Sequence, residues 1–341
     1  VRVAAAGVRH RGGVAVSFRR AACTATTAVL AAGALTIVEP ALLGLAGTRP
    51  WLYAAAFPVP RVLGLAAVTV LLGAVALRAR GAAPAAGALA LATAVSGAVV
   101  LHRGAGAGEL PAAEAGDVTV VTVNTEFSRA DVQAVASLVL RTQADVVTMP
   151  ETTARFAGEV AAAVRTGGGP ALQVLAHEGR GPENTSTSLL VSDRWGPYRK
   201  LPARELPMRL GAVAAVPVAG DGPPLAAVHP YPPVGEGLPT WEAEGLAAVR
   251  WCETHPGALV GGDFNATPDH PALRALGECV DVSVATGTGS RGTWPSRVPA
   301  LLGAPIDHVL ADARRWRPVA SAVVDVPGTD HRAVVARVRP S

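Results

Sequence analysis

Six short polar motifs punctuate this chain from residue 124 onward, and each lies at one end of a β-branched or small apolar run. Asn124 follows the run 118–123, and Glu151 follows 144–149 in Met149-Pro150-Glu151. His229 closes 225–229 ahead of Pro230-Tyr231. Asp263 and Asn265 follow 259–261 in Gly262-Asp263-Phe264-Asn265. Asp307 and His308 sit in Pro305-Ile306-Asp307-His308, and Asp330 and His331 in Gly328-Thr329-Asp330-His331. Polar groups repeated at strand ends predict one convergent cluster at one edge of a sheet or pair of sheets. Carboxylates such as Glu151 and Asp330 are hard oxygen donors suited to Mg²⁺ or Mn²⁺. An imidazole held by a carboxylate moves a proton or bonds a phosphate, and an Asp beside a water orients or deprotonates it. Together these are the parts of metal-assisted phosphoester hydrolysis.

Taken singly, each residue has a plainer reading. Asn124 is a turn residue, Glu151 a helix-start acid, and His229 a loop histidine. Asp263 and Asn265 are caps for a helix over 271–276, and Asp307 and Asp330 are partners for nearby arginines. His308, His177, His255 and His270 are read as structural. The ordered combination is what favours chemistry.

The elements that must position these residues follow from periodicity. The runs 118–123, 144–149, 171–176, 187–192, 212–218, 225–229, 259–261, 306–310, 319–326 and 333–338 are expected as strands. Ser128-Arg129-Ala130-Asp131 resembles a capping box for a helix whose apolar positions are 132, 135, 136, 139 and 140. Further helices are expected at 152–165, 240–254 and 271–276. Two strand–helix units followed by a strand-rich stretch predict sheets packed together with helices outside.

The ordered motifs over about 117–339 resemble the endonuclease/exonuclease/phosphatase superfamily, with 262–265 and 330–331 carrying most of the likeness. Thr293-Trp294-Pro295, upstream of Ile306-Asp307-His308, is also similar to this family. The resemblance implies an α/β fold, a four-layer α/β/β/α sandwich of the deoxyribonuclease-I type. It implies a Mg²⁺ or Mn²⁺ cofactor at Asn124, Glu151 and Asp330, with Glu151 the main ligand. It implies that His229 bonds the scissile phosphate or donates a proton, and that Asp263 orients or activates water. Asn265 would hold phosphate or that water, and His331 would contact the phosphate, oriented by Asp307.

The first third reads differently. Residues 1–103 carry ten Arg against one acid, Glu39, whereas 104–341 carry 20 basic and 25 acidic residues. The net +4 and the pI near 9.4 therefore belong to the N-terminal part, and do not make the remainder a polyanion binder. Apolar stretches at 21–46, 55–77 and 81–101 predict about three membrane spans. Arg2, Arg9, Arg11, Arg19 and Arg20 before the first, with Arg78 and Arg80 between the second and third, predict a cytoplasmic N-terminus. The expected organisation is a membrane region at 1–103, a linker at 104–116 and a catalytic domain at 117–341 held outside the cytoplasm of a bacterial cell. Glu39 is read as a solvated span-end residue and Cys23 as packing within the first span. Cys252 and Cys279 flank 262–265, and both a disulfide and two buried thiols fit the sequence.

The expected function is a membrane-anchored, divalent-metal-dependent phosphoesterase. Its substrate would be nucleic acid, a phospholipid head group or a small phosphoester, with the bilayer as its other partner and no obligate protein partner. The rivals are a phospholipid head-group hydrolase of the sphingomyelinase type and a membrane-tethered binding module with a degenerate site.

Overall fold

The computed structural model describes residues 49–77, 83–220 and 222–341. These form two compact units, one up to residue 54 with 60–99, the other 55–59 with 100–341. The expected span at 21–46, with Cys23, Glu39 and the N-terminal arginines, lies outside the described residues, as do Arg78 and Arg80.

Helix α1 (Arg49–Ala56) is short. Helices α2 (Pro58–Ala76) and α3 (Ala83–Arg103) correspond to the expected spans at 55–77 and 81–101 and are long and apolar enough to cross a membrane. Many of their large apolar side chains face outward, with Leu101 82% exposed and Val70 73%, while Leu65 and Leu89 are buried against each other. Thr69 and Thr93 join the two helices through their hydroxyls at 3.0 Å, and each also bonds the carbonyl four residues earlier. Such hydroxyl links satisfy polar groups within an apolar surround. Two such helices, rather than three, are present among the described residues.

The second unit begins with β1 (Val118–Thr122), α4 (Val132–Thr142), β2 (Val146–Pro150), α5 (Ala154–Thr166), β3 (Leu172–His177) and β4 (Thr187–Ser192). It continues through β5 (Tyr198–Lys200), β6 (Ala212–Pro217), β7 (Leu225–Val228), α6 (Leu238–Thr254), β8 (Leu259–Asp263) and α7 (Pro271–Arg274). It ends with β9 (Cys279–Asp281), α8 (Val282–Ala285), β10 (Asp307–Asp312), β11 (Trp316–Asp325) and β12 (Arg332–Pro340). One six-stranded sheet runs β11-β12-β1-β2-β4-β3 and the other β5-β6-β7-β8-β10-β9.

The period-2 pattern explains the layers. Val118, Val120, Val146, Leu189, Val191, Val334 and Val338 point into a core shared with Val213, Leu225, Leu259 and Val309 of the second sheet. The alternate residues Val121, Val147, Met149, Leu190 and Val335 pack with Val135, Val139, Phe156 and Val160 of α4 and α5. Helix α6 lies outside the second sheet, burying Trp241, Ala248, Val249 and Trp251. Burying such a Val or Leu side chain stabilises by roughly 1.5–3 kcal/mol, and only this alternation lets both faces of a sheet do so.

Three local readings differ from expectation. Ser128 does not cap α4: Asp131 does, its carboxylate accepting from the Ala134 N–H. Ser128 instead lies in a turn that meets Thr153, where its hydroxyl accepts from the Thr153 N–H. The short strands β5 and β9 and the one-turn α8 have no counterpart among the expected elements, because three or four residues carry no resolvable period. The stretch 104–116 is no free linker at its start. Gly289 and Ser290 N–H groups donate to Arg103 and Gly104 carbonyls, Val323 N–H donates to Ala107, and Arg337 bonds the Pro111 carbonyl. Arg103 also pairs with Asp269 at 2.8 Å. Backbone groups that must be satisfied on a packed surface hold the segment in place.

Cys252 and Cys279 form a disulfide, linking the end of α6 to β9.

Candidate active site

Two parallel strand pairs decide where the site lies. β1 pairs parallel to β2, and β7 parallel to β8. Their C-terminal ends deliver Asn124, Glu151, His229 and Asp263 to one edge, where ligands of α/β sheets gather. The antiparallel strands complete the set from their starting ends. Asp307 at the start of β10 stands opposite Asp263, and Asp330 and His331 immediately precede β12. All eight sequence-predicted residues lie at this edge, from both sheets.

Local sequence shapes the approach. A Cβ on Gly262 would run into the Val228 carbonyl, and one on Gly261 would meet the Thr148 hydroxyl. The glycine pair therefore lets β8 press against β7 and against the other sheet, bringing Asp263 within reach of Asn124. Glu151 has φ 53° and Asn265 has φ 48°. Both are tight left-handed turns that reverse the chain just after a strand.

At the floor, His331 Nδ1 lies 2.9 Å from Asp307 Oδ2, while its Nε2 is 3.7 Å from Asp263 and 3.8 Å from Asp330. His229 Nε2 is 3.7 Å from Asp263 and 3.9 Å from Glu151. Its buried Nδ1 has no hydrogen-bond partner among the described residues. Asn124 donates through Nδ2 to Glu151 and to Asp263, both at 3.1 Å, and its Oδ1 accepts from the Glu126 N–H. That network fixes the orientation of the amide: its oxygen is taken, and its N–H groups hold two carboxylates. Asn265 holds Asp263 Oδ1 through its backbone N–H at 2.8 Å and donates its side chain to the Pro230 carbonyl. The side chains of Glu151 and Asp330 are 15% and 32% exposed, against 3% or less for Asp263 and Asp307. The cluster thus opens to solvent on the Glu151–Asp330 side.

Burial and crowding set the charges. Asp263 is pushed up to about 7, chiefly by burial and then by the Asp307 charge. Burial also raises Glu151. For His229, burial lowers the imidazole to about 3, so it is neutral. His331 goes the other way. Burial opposes its cation, but the charge and hydrogen bond of Asp307, aided by Asp263 and Asp330, raise it to about 10. Opposite charge at close range thus outweighs desolvation there.

This donor set fits a divalent cation. Several buried or half-buried carboxylates face one another, Asp307 Oδ1 accepts no hydrogen bond from the described residues, and Glu151 and Asp263 are both raised. Such surplus negative charge is what a hard cation neutralises. Ligand-type atoms of Asp263, Asp307 and His331 lie within 4.8 Å of one another. There, however, His331 and Asp307 are already bonded to each other. The carboxylates open to a cation are Glu151 and Asp330.

Some supporting residues have no partner assigned from the sequence. Glu126 Oε2 accepts from the Asp330 N–H, and Trp294 Nε1 donates to Asp330 Oδ2 at 2.9 Å. Thr293 Oγ1 accepts from the Ile306 and Asp307 N–H groups, and Thr329 bonds the Asn124 carbonyl. Trp294 belongs to the Thr-Trp-Pro motif, though nothing in that motif assigns it a partner. Glu126, Phe127 and Ser128, at φ 47°, 59° and 59°, form a left-handed run that no sequence signal announces. It places the Phe127 N–H on Glu151 Oε2 at 3.2 Å. None of the plainer readings of Glu151, Asp263, Asp307 or Asp330 describes what these carboxylates contact. The cap position before α7 is His270 with no side-chain cap bond, and neither Asp307 nor Asp330 pairs with an arginine among the described residues.

The fold and the family agree with this geometry. The crystal structure of D. rerio TDP2 complexed with single-strand DNA product superposes with a TM-score of 0.51 at 13% identity, covering 65% of this chain and 99% of that one. The endonuclease/exonuclease/phosphatase from Bacteroides vulgatus gives 0.50 at 18% identity, covering 66% and 99%. No curated protein matches the chain in sequence. The Endonuclease/Exonuclease/phosphatase family model matches residues 121–331, which include every residue of the cluster. The chain belongs to the Endonuclease/Exonuclease/phosphatase family, whose enzymes are generally metal-dependent phosphoester hydrolases.

Proposed function

We propose that this protein is a membrane-anchored, divalent-cation-dependent phosphoesterase, with Mg²⁺ or Mn²⁺ held by Glu151 and Asp330. The observation that carries the reading is the convergence of Glu151, Asp330, Asp263, His229 and the His331–Asp307 pair at one edge, with acid groups on the open side and proton-handling groups beneath. A cation bound there supplies charge that neutralises the phosphoryl oxygens and the leaving oxyanion.

The chain's own residues do the rest. Asp263, raised to about 7, is a base matched to neutral pH and takes a proton from the attacking water. The Asn265 N–H fixes one of its oxygens and Asn124 the other, so the carboxylate cannot rotate away. His331, its Nδ1 fixed by Asp307, directs a cationic Nε2–H at a phosphoryl oxygen. His229, neutral, offers a hydrogen bond from Nε2. Asn124 holds Glu151 in place rather than donating its amide oxygen, which Glu126 already uses. Trp294 and Glu126 hold Asp330 in the same way.

Anchoring rests on α2 and α3, whose exposed leucines and valines would be costly in water. The disulfide favours an oxidising compartment for the catalytic unit, in line with a multi-pass chain whose catalytic part lies outside the cytoplasm of a bacterial cell.

The test is hydrolysis by the full chain in detergent of bis(p-nitrophenyl) phosphate, plasmid DNA, sphingomyelin and inositol phosphates, with Mg²⁺, with Mn²⁺ and with EDTA. Metal-dependent cleavage lost in Asp263→Ala is expected. Activity equal in that variant, or none on any substrate, would remove the catalytic reading.

A further inference from the structure

A cavity of about 440 Å³ opens beside the catalytic cluster, lined among others by His177, Arg204, Met208, Arg209, Ala212 and Glu244. Strand pairing places it on the same edge. Pro150, which precedes Glu151, pairs with Thr187, and Thr187 pairs with His177. In the other sheet Val228, which precedes His229, pairs with Ala212. The cavity therefore begins one strand beyond His229 in the second sheet and two beyond Glu151 in the first, a span of about 5–10 Å at ordinary strand spacing.

Its charge is one-sided in effect. Arg204 and Arg209 supply the positive charge, burial and Lys200 hold the His177 imidazole below its usual value and so neutral, and Lys200 itself donates from Nζ to the Ala176 carbonyl. The acid in the lining, Glu244, is already used: its two oxygens accept from the backbone N–H groups of Arg209 and Tyr231, each at 2.7 Å. Those bonds tie the cavity wall to the segment that carries His229. Arg209 lies over the Tyr231 ring, 4.5 Å from its centroid, and pairs with no carboxylate among the described residues. Arg204 meets the exposed Glu205 at 3.9 Å and no other carboxylate among the described residues. A planar guanidinium held over an aromatic ring is pre-organised for a phosphate, with its donor edge free. Nothing in the cleavage step described above uses any of these groups.

We propose that this cavity is a second anion subsite, which takes a phosphate group carried by the same substrate whose scissile phosphoester lies at the Glu151–His331 cluster. The proposal rests on the phosphoesterase reading and narrows it. The preferred substrate is a phosphoester with a further phosphate close to the bond that is cut, and Leu206 and Met208 give the cavity an apolar part of its wall. A nucleotide and a phosphorylated lipid head group share this chemistry.

The experiment compares KM on paired substrates with the full chain: a dinucleotide with and without a terminal phosphate, and glycerophosphoinositol with and without a ring phosphate. In at least one pair the added phosphate should lower KM about tenfold, and the responding pair identifies the source. Arg209→Gln with Arg204→Gln should abolish that gain while leaving kcat, and KM for the unphosphorylated member, unchanged. A gain that survives in the variant, or no gain in either pair, overturns the proposal. Inorganic phosphate binding to the full chain in EDTA separates the two readings, because the carboxylate cluster without a cation repels anions. Binding that weakens about tenfold in the double variant supports the subsite even if no substrate is cut. Binding that is absent, or unchanged in the variant, rules it out.

Discussion

Two histidine–aspartate pairs start from neighbouring residues of β10 and meet opposite ends. His331 and Asp307 join at 2.9 Å, and His308 and Asp281 join at 2.8 Å, all four side chains being buried. The difference lies in the second ring nitrogen. His308 Nε2 meets the Ala266 carbonyl at 2.9 Å, so both nitrogens face acceptors. An imidazolium donates from both nitrogens, so this one is locked in place. Accordingly, although burial opposes it, Asp281 raises His308 above the usual imidazole value. His331 Nε2 lies 3.7 Å from Asp263 and 3.8 Å from Asp330. Those separations are too long for a hydrogen bond, and they lie on the side that opens to substrate. A buried histidine–aspartate pair is thus closed or open at its far nitrogen according to what that nitrogen touches.

That contrast can be broken most sharply at His331. His331→Gln should lower kcat by about 10³-fold, within the range for loss of one preorganised donor to the reacting phosphoryl group, and leave the melting midpoint nearly unchanged. A variant retaining a tenth of the activity would place His331 with the structural pair. The mirror change, Asp281→Ala, should destabilise by about 3–5 kcal/mol by stranding a buried cation, with activity per folded molecule preserved; denaturant unfolding beside an active-site titration reads both. Replacing Cys252 and Cys279 by Ser frees the strand that carries Asp281. Opening a loop of this length should cost about 3–4 kcal/mol, read as a lower midpoint that reductant reproduces in the parent.

Smaller effects sharpen the comparison. Trp294→Phe removes the N–H that holds Asp330 Oδ2. It should weaken activation by Mg²⁺ about tenfold, with full recovery at high metal. A change in kcat that metal does not rescue would argue against this supporting role. The pH dependence of stability should reveal His308. Its folded pKa is raised, so its contribution is fully present below about 6.5 and lost as pH rises through the folded value. Asp281→Asn keeps an oxygen for the α8 cap but not the charge, and should flatten that slope. An unchanged slope would show that another group carries it.

How much of this is legible in the sequence depends on range. The strands at 118–123 and 187–192 and the helix at 240–254 announce themselves through apolar period and turn residues, because burial on one or both faces imposes that pattern locally. The site residues are legible as types at strand ends, since a strand of known direction ends at a known edge. The plainer reading of His308 also agrees with its contacts, although its sequence neighbour Asp307 pairs with His331 in the cluster.

What the amino-acid order determined by itself was therefore the inventory: two sets of strands, an apolar front end, and eight polar residues placed where strands stop or start. Apart from the His331–Asp307 pairing that the resemblance implied, tertiary structure decided the partners. It gave His308 to Asp281, turned the Asn124 amide toward two carboxylates, and brought Trp294 to Asp330 from 36 residues away. It joined Cys252 to Cys279 and set Arg209 over Tyr231 close to His229 in the chain. Hydrogen bonds and charge pairs act over about 3–4 Å, and which groups come that close depends on strand order and register across both sheets, a property no local window of sequence contains.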